Sequence, residues 1–389
     1  MEKRLKIALF DHSVKSSNAI GKCNLSILGA LCEEHEFTVF AAEFENPRPE
    51  KIRWVRVPVL KWPPAFLYLS FHIVAPILYY WHRLWHREHF DLVQTVESIL
   101  SFGDVAYPHF CNRAYLKRHW EKSNQTGVKS WVRWLDHKCR SLVEPWVYRR
   151  VEHIVVPSQG LHDELASEYP YTRGRIQVLH NPVEVERMRR PAEFDRETFR
   201  EKLAIGREDL VLVFVALGHF ERKGLPPLLS ALAKISEPGL RLIVVGGRSG
   251  LISSYRADVE QMGLSGRVSF VGMQHDVRPY LWAADGFTLP SLYEVFPLVS
   301  LEAAAAGLPL IVSSVNGVVE FVSDGKNGIL IDHTPEGVAG GLSRFLALTP
   351  EARRAMGQQA QKDVSQYDTS SFVTAWRQFY AERANHAGG

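Results

Sequence analysis

The stretch PSLYEVFPLVSLEAAAAGLPLIV, from Pro290 to Val312, sets two carboxylates, Glu294 and Glu302, into a segment that otherwise reads as buried core. A charge buried without a partner is costly, so both side chains need an assigned use. Pro297 suits a first helical position and Gly307 a stop before Pro309, so the spacing predicts a helix over 297–306. Glu294 then lies in the loop before the helix and Glu302 roughly 7.5 Å along its axis. A helix N-terminus at the carboxyl end of a parallel strand attracts anions. Carboxylates on either side of such an anion suit hydroxyl groups, not phosphate. A nucleotide sugar has that layout, with ribose hydroxyls on one side of a diphosphate and hexose hydroxyls on the other. The required cations stand in GHFERKGLPPLL, Gly218 to Leu229, as Arg222 and Lys223. Each feature alone also reads as a solvated loop acid, a salt-bridged helix acid or a surface basic pair. Their meeting on one sheet edge is what points to a nucleotide sugar.

The elements that must position these residues alternate in type. Strands at LKIALF, EFTVFAA, IRWVRVPV, DLVQTVES and HIVVPS are separated by helical patterning in the first half. A loop ending at Gly21 leads into the first helix, whose apolar side is read from Leu25, Leu28, Leu31 and Cys32. The second half repeats the alternation with LVLVFVAL, LRLIVVG, RVSFVG, GFTLP, LPLIVSS and GILID. This is the pattern of parallel sheets with crossover helices, and 389 residues exceed what one core supports. Two α/β domains are therefore expected, hinged at the polar, Pro-interrupted segment His180 to Glu197. The C-terminal SSFVTAWRQFYAERAN reads as an amphipathic helix with Phe372, Trp376 and Phe379 on one side.

Composition narrows the class. With 46 basic and 43 acidic side chains the net charge is +3, which argues against a dedicated nucleic-acid binder. Cys23, Cys32, Cys111 and Cys139 show no metal-ligand spacing, so reduced thiols and a cytoplasmic setting are expected. The segment Pro63 to Phe90 is the most hydrophobic, yet His72 and Pro76 interrupt it and Trp, His and Arg follow at once. It reads as a helix packed on a sheet or as an interfacial one on the cytosolic face of a membrane, rather than as a span.

These motifs carry a resemblance. From about Arg149 to Ile331 the chain is similar to the donor domain of retaining glycosyltransferases of the GT-B fold, family 4, also called glycosyltransferase group 1. Glu294 and Glu302 match that family's E-x7-E signature, and ERKG matches its basic loop. VLHNPVEVERM matches its linker, and Gly246 in VVGGRSG a glycine after the next strand. The resemblance implies an α/β chain with two Rossmann-like parallel-sheet domains facing across a cleft. Residues 1–185 would form the acceptor-side domain, 186–365 the donor-binding domain, and 366–389 a helix packing back on the first. Lys223 and Arg222 would neutralise the diphosphate, Glu302 would hold the ribose hydroxyls and Glu294 would contact the transferred hexose. Gly218 and the backbone around Val295, Phe296 and Leu298 would complete the donor site. In the first domain, Gly21 would let the backbone approach the diphosphate. His109 matches the family's histidine at the transfer point, with a structural histidine as the alternative. The chain departs from the family at His219, where an arginine is frequent, and at Gly21, which stands in place of paired glycines.

No D-x-D triad occurs, so neither a metal nor a cofactor is expected beside the nucleotide-sugar co-substrate. The acceptor expected from the resemblance is a glycan or a lipid-linked molecule. Arg113 to Arg150 carries ten Lys or Arg against Glu121, Asp136 and Glu144, interleaved with tryptophans. That segment suits either an anionic lipid surface or an ordinary basic helix. Two rival functions stay open, a nucleotide-sugar 2-epimerase-like isomerase and a non-catalytic scaffold binding sugar nucleotides or glycans. A dehydrogenase is disfavoured, because no G-x-G-x-x-G follows the opening strand.

Overall fold

Apolar runs of four to six residues, too continuous to alternate between core and solvent, form strands covered on both faces. The computed structural model describes residues 4–60, 62, 64–97, 102–123 and 127–386, without the side chains of 64, 65, 129, 385 and 386. Pro63, Ser98 and the Lys129 side chain, which enter the sequence readings above, lie outside the described residues.

Two compact units emerge, one ending at Pro182 and resuming at Thr369, the other running from Val183 to Asp368. In the first unit the strands are β1 (Lys6–Phe10), β2 (Ser13–Val14), β3 (Glu36–Ala41), β4 (Glu43–Phe44), β5 (Arg53–Arg56), β6 (Leu92–Val96), β7 (Val105–Tyr107), β8 (His153–Val156) and β9 (Ile176–Val178). Its main sheet runs β5-β3-β1-β6-β7-β8-β9, parallel throughout, and β2 pairs with β4 beside it. Its helices are α1 (Ala19–Leu31), α2 (Pro64–Trp85), α3 (Asn112–Arg118), α4 (Gly127–Arg150) and α5 (Gln159–Glu168).

The second unit has the strands β10 (Leu210–Val215), β11 (Leu240–Val245), β12 (Val268–Gly272), β13 (Gly286–Leu289), β14 (Leu310–Ser313) and β15 (Gly328–Ile331). They form one parallel sheet in the order β12-β11-β10-β13-β14-β15. Its helices are α6 (Val185–Met188), α7 (Arg196–Lys202), α8 (Phe220–Lys223), α9 (Leu225–Lys234), α10 (Ser249–Gln261), α11 (Arg278–Ala283), α12 (Leu298–Ala305), α13 (Val318–Phe321), α14 (Pro335–Leu346) and α15 (Pro350–Val364). The last helix, α16 (Thr369–His386), rejoins the first unit, where Trp376 and Tyr380 are fully buried and the Tyr380 hydroxyl donates to Gln94 Oε1 at 2.6 Å.

The expected hinge segment, His180 to Glu197, contains the boundary between the units at Pro182 and Val183, and from Val183 on it is built into the second unit. The Val183 N–H donates to Tyr367 O at 2.9 Å, Trp282 Nε1 donates to Met188 O at 2.7 Å, and Arg196 pairs with Asp285. Two local readings change, both in α1. Gly21 lies inside α1, not at the end of the preceding loop, because Asn18 caps the helix by accepting from Gly21 N. The buried stripe of α1 consequently passes through Cys23, Asn24, Ile27, Leu28 and Leu31, and Leu25 sits at its edge.

Candidate functional site

In the second unit the chain order sets the site. The strand sequence leaves β10 toward β11 and β12, then returns to lay β13 on β10's other side. The loops after β10 and β13 therefore diverge from adjacent carboxyl ends, the crevice where open parallel sheets bind ligands. The β10 loop carries Arg222 and Lys223, and the β13 loop carries Glu294.

The two loops are locked together. Leu292 N–H donates to Arg222 O at 2.8 Å, and His333 Nδ1 bonds Pro290 O. Gly224 adopts φ +84°, and a Cβ placed there would stand 1.8 Å from Pro290 O, so only glycine permits this approach. Gly317, at φ +75°, closes the other side in the same way, its missing Cβ position lying 2.3 Å from Val295 O. Gly218 has open space around it, and the left-handed turn residue of the β10 loop is instead His219, at φ +54°.

Lys223 Nζ meets Glu294 Oε1 at 2.5 Å, and Ser291 Oγ donates to the same oxygen at 2.8 Å. Their side chains are 18% and 8% exposed, so this is a largely dry ion pair. Burial pushes the Glu294 carboxyl upward, but the charges of Lys223 and Arg222 outweigh it and hold it below its ordinary range. Burial and the Arg222 charge lower the Lys223 ammonium against the pull of Glu294. The pairing accounts for a carboxylate in this core: removal of either partner would strand the other in low dielectric.

The helix after the loop is α12, one residue shorter at each end than the spacing predicts. Pro297 is its N-cap, at φ −75° and ψ 106°, because its backbone stays extended, and no side chain caps the helix. The Ser300 N–H donates to Pro297 O at 3.0 Å, which leaves the Leu298 and Val299 N–H groups as the donors the helix itself does not satisfy. Glu302 follows one turn in and is buried. Val295, Phe296 and Leu298 are buried too, and the Phe296 ring packs on Tyr367 at 5.5 Å and Phe321 at 6.0 Å. Those three can offer a ligand backbone only.

The first unit repeats the device. Its chain order switches between β1 and β6, and each strand is followed by an acid, Asp11 and Glu97. Neither was singled out in the sequence, where no motif marks them. A search for acids directly after the two strands flanking a switch point would have found both. Asp11 accepts from Asn24 Nδ2 at 3.0 Å and Ser13 N at 3.2 Å. Glu97 holds the left-handed conformation at φ +58°, which a non-glycine residue adopts at a cost. Burial pushes Asp11 up to about 7 and Glu97 up to about 8, the latter against the opposing charge of Arg140. His109, after β7, places Nδ1 3.3 Å from Tyr107 O and Nε2 3.2 Å from Asn181 Oδ1, and burial lowers it to about 4. A neutral imidazole donates to only one of these acceptors. What approaches Gly21 closely is the chain's own Lys15, whose carbonyl would lie 2.1 Å from an added Cβ.

These groups give stability a pH dependence. Asp11 and Glu97 hold protons in the folded chain that they release near pH 4 when unfolded, so their contribution is complete below that pH and is lost as pH rises through about 7 and 8. His109 acts oppositely, its contribution growing from about pH 4 to the unfolded value and then levelling. Above about pH 6.5 only the acids' slope remains. The melting temperature is expected to fall between pH 6.5 and 8.5, as followed by calorimetry, and Glu97→Gln should flatten that fall.

Comparison with known proteins agrees with this layout. The family model for glycosyl transferases group 1 matches residues 195–363, and that for glycosyltransferase family 4 matches residues 21–187. An uncharacterized glycosyltransferase of Methanocaldococcus jannaschii is 26% identical over 333 residues, 82% of each chain. The lipopolysaccharide core biosynthesis glycosyltransferase LpsE of Rhizobium meliloti is 31% identical over 173 residues, 44% of this chain and 50% of that protein. Among solved structures, Anabaena HepE in complex with UDP-glucose superposes with a TM-score of 0.73 at 17% identity, covering 97% of this chain and all of that one.

Proposed function

Because this chain belongs to the group 1 glycosyltransferases of the GT-B fold, we propose that it moves a hexose from a UDP-sugar to a hydroxyl of a glycan, glycolipid or lipid-linked acceptor, with retained anomeric configuration. The observation that carries this reading is the Lys223–Glu294 pair beside the uncapped start of α12, at the switch point of the donor sheet. The UDP-glucose complex of HepE and the lipopolysaccharide role of LpsE support the donor and acceptor classes.

On this reading Lys223 turns from Glu294 to the diphosphate, and Glu294 is released to accept from hexose hydroxyls. Arg222 and the α12 N–H groups share the negative charge that grows on the departing phosphate oxygen, without a metal. Glu302 accepts from the ribose hydroxyls. The bond from the anomeric carbon to that oxygen breaks with its electron pair leaving on the diphosphate. The acceptor oxygen bonds to the same face, and its proton passes to the leaving phosphate. Most of the rate then comes from positioning and leaving-group stabilisation. His109, Asp11 and Glu97 are assigned to the acceptor side.

The test is incubation with UDP-glucose and a panel of glycan and lipid-linked acceptors, with the product's anomeric proton read by NMR. An α-linked product from the α-donor is expected only when an acceptor is present. A rearranged UDP-sugar formed without acceptor would instead identify an isomerase. Glu302→Ala should weaken UDP binding by about tenfold or more, equivalent to losing a charged hydrogen bond, while Glu294→Ala should mainly lower turnover.

A further inference from the structure

One helix of the first unit is apolar on both faces. Phe71, Ala75 and Tyr79 of α2 pack into the core beneath β1 and β3, and Tyr68 is buried as well. The opposite face should then be polar in a helix lying on a water-exposed surface. It is not: Phe66, Ile73, Ile77, Trp81, Leu84 and Trp85 are all between 51% and 78% exposed, spaced to form one stripe. Trp81 and Trp85 stack on each other with centroids 4.8 Å apart. The neighbouring α4, whose Arg140 lies 4.5 Å from the Tyr68 ring, adds exposed Trp131, Leu142 and Trp146. No helix among the described residues is long and apolar enough to cross a membrane.

Charge says what covers this face. Helix α2 contains no acid. On α4, Asp136 is paired with Arg140 at 3.1 Å, and Glu144 is fully buried under Asn112, Arg113 N–H and the Tyr169 hydroxyl. The exposed charges described on these two helices are cations, Arg83 on α2 and Lys138, Arg149 and Arg150 on α4, joined by Arg87 just after α2, while an exposed acid, Glu152, follows α4. The Arg150 guanidinium sits 4.3 Å from the Trp146 ring, keeping an aromatic and a cation on one spot.

We propose that the outer faces of α2 and α4 dock flat on an anionic lipid bilayer, with the α2 stripe immersed at the headgroup level and the cations against acidic lipid. Aromatic residues with basic neighbours on a non-spanning helix have the composition of an interfacial anchor. A second copy of the chain fits less well, since a two-fold contact would bring together two helix surfaces whose described exposed charges are cations. This goes beyond the transfer reaction and stands or falls separately from it.

The test is co-sedimentation of the full chain with vesicles of phosphatidylcholine alone and of phosphatidylcholine mixed with phosphatidylglycerol. Binding to the mixed vesicles is expected to be at least about tenfold tighter than to the neutral ones, to weaken with added salt, and to blue-shift tryptophan emission. Ile73→Glu/Ile77→Glu should lower it by at least about tenfold while UDP binding and the melting temperature hold. Equal binding by that variant, or no sedimentation with mixed vesicles, would overturn the proposal. So would a dimer in light scattering that the variant abolishes, which would assign the face to a second copy.

Discussion

Lys223→Met is expected to lower transfer by about a hundredfold to a thousandfold, the size of losing one preorganised group at a developing oxyanion. Lys223 is the partner that lets Glu294 stay ionised at 8% exposure, so the variant should also lose about 3–5 kcal/mol of stability. The two effects separate in the double variant Lys223→Met/Glu294→Gln, in which no charge is left stranded. Its melting temperature should recover most of the loss, whereas its turnover should not. Recovery of both would reduce the pair to a structural salt bridge and remove Lys223 from the chemistry.

Gly224→Ala is the second large effect expected. A left-handed alanine costs about 1–2 kcal/mol, and the new methyl would sit 1.8 Å from Pro290 O, so the β10 and β13 loops must also part. The melting transition of the second unit should fall by about 4 °C or more. UDP affinity should fall with it, because the same displacement moves Lys223 from Glu294. Gly218→Ala is the control: its added methyl meets nothing within 4 Å, and the melting temperature should move by about 2 °C at most. Equal losses from both substitutions would mean that the loops are not held by this contact.

The parallel strands of the second unit were legible because their apolar runs are continuous and punctuated by glycine and proline. β7 and β9 were not, since three residues show no periodicity. Glu294 and Lys223 could each be picked out by their setting in an apolar loop and a glycine-bounded one. Their direct pairing could not, since 71 residues separate them and only the β10–β13 adjacency brings them together. Asp11 and Glu97 were missed for a related reason: strand order, not local pattern, puts their strands side by side. The Pro63 to Phe90 segment shows the opposite limit. When both faces of a helix are apolar, spacing does not tell which one the core takes, and burial alone separated Phe71 from Ile73.

On the proposed reading a nucleoside diphosphate binds where Lys223, Arg222 and the start of α12 converge. Isothermal titration of UDP into the wild-type chain and into Lys223→Met and Glu302→Ala, without added metal, tests it most directly. One UDP per wild-type chain is expected, with affinities at least about tenfold weaker in both variants. No heat with the wild type, or equal affinity in all three proteins, would contradict it.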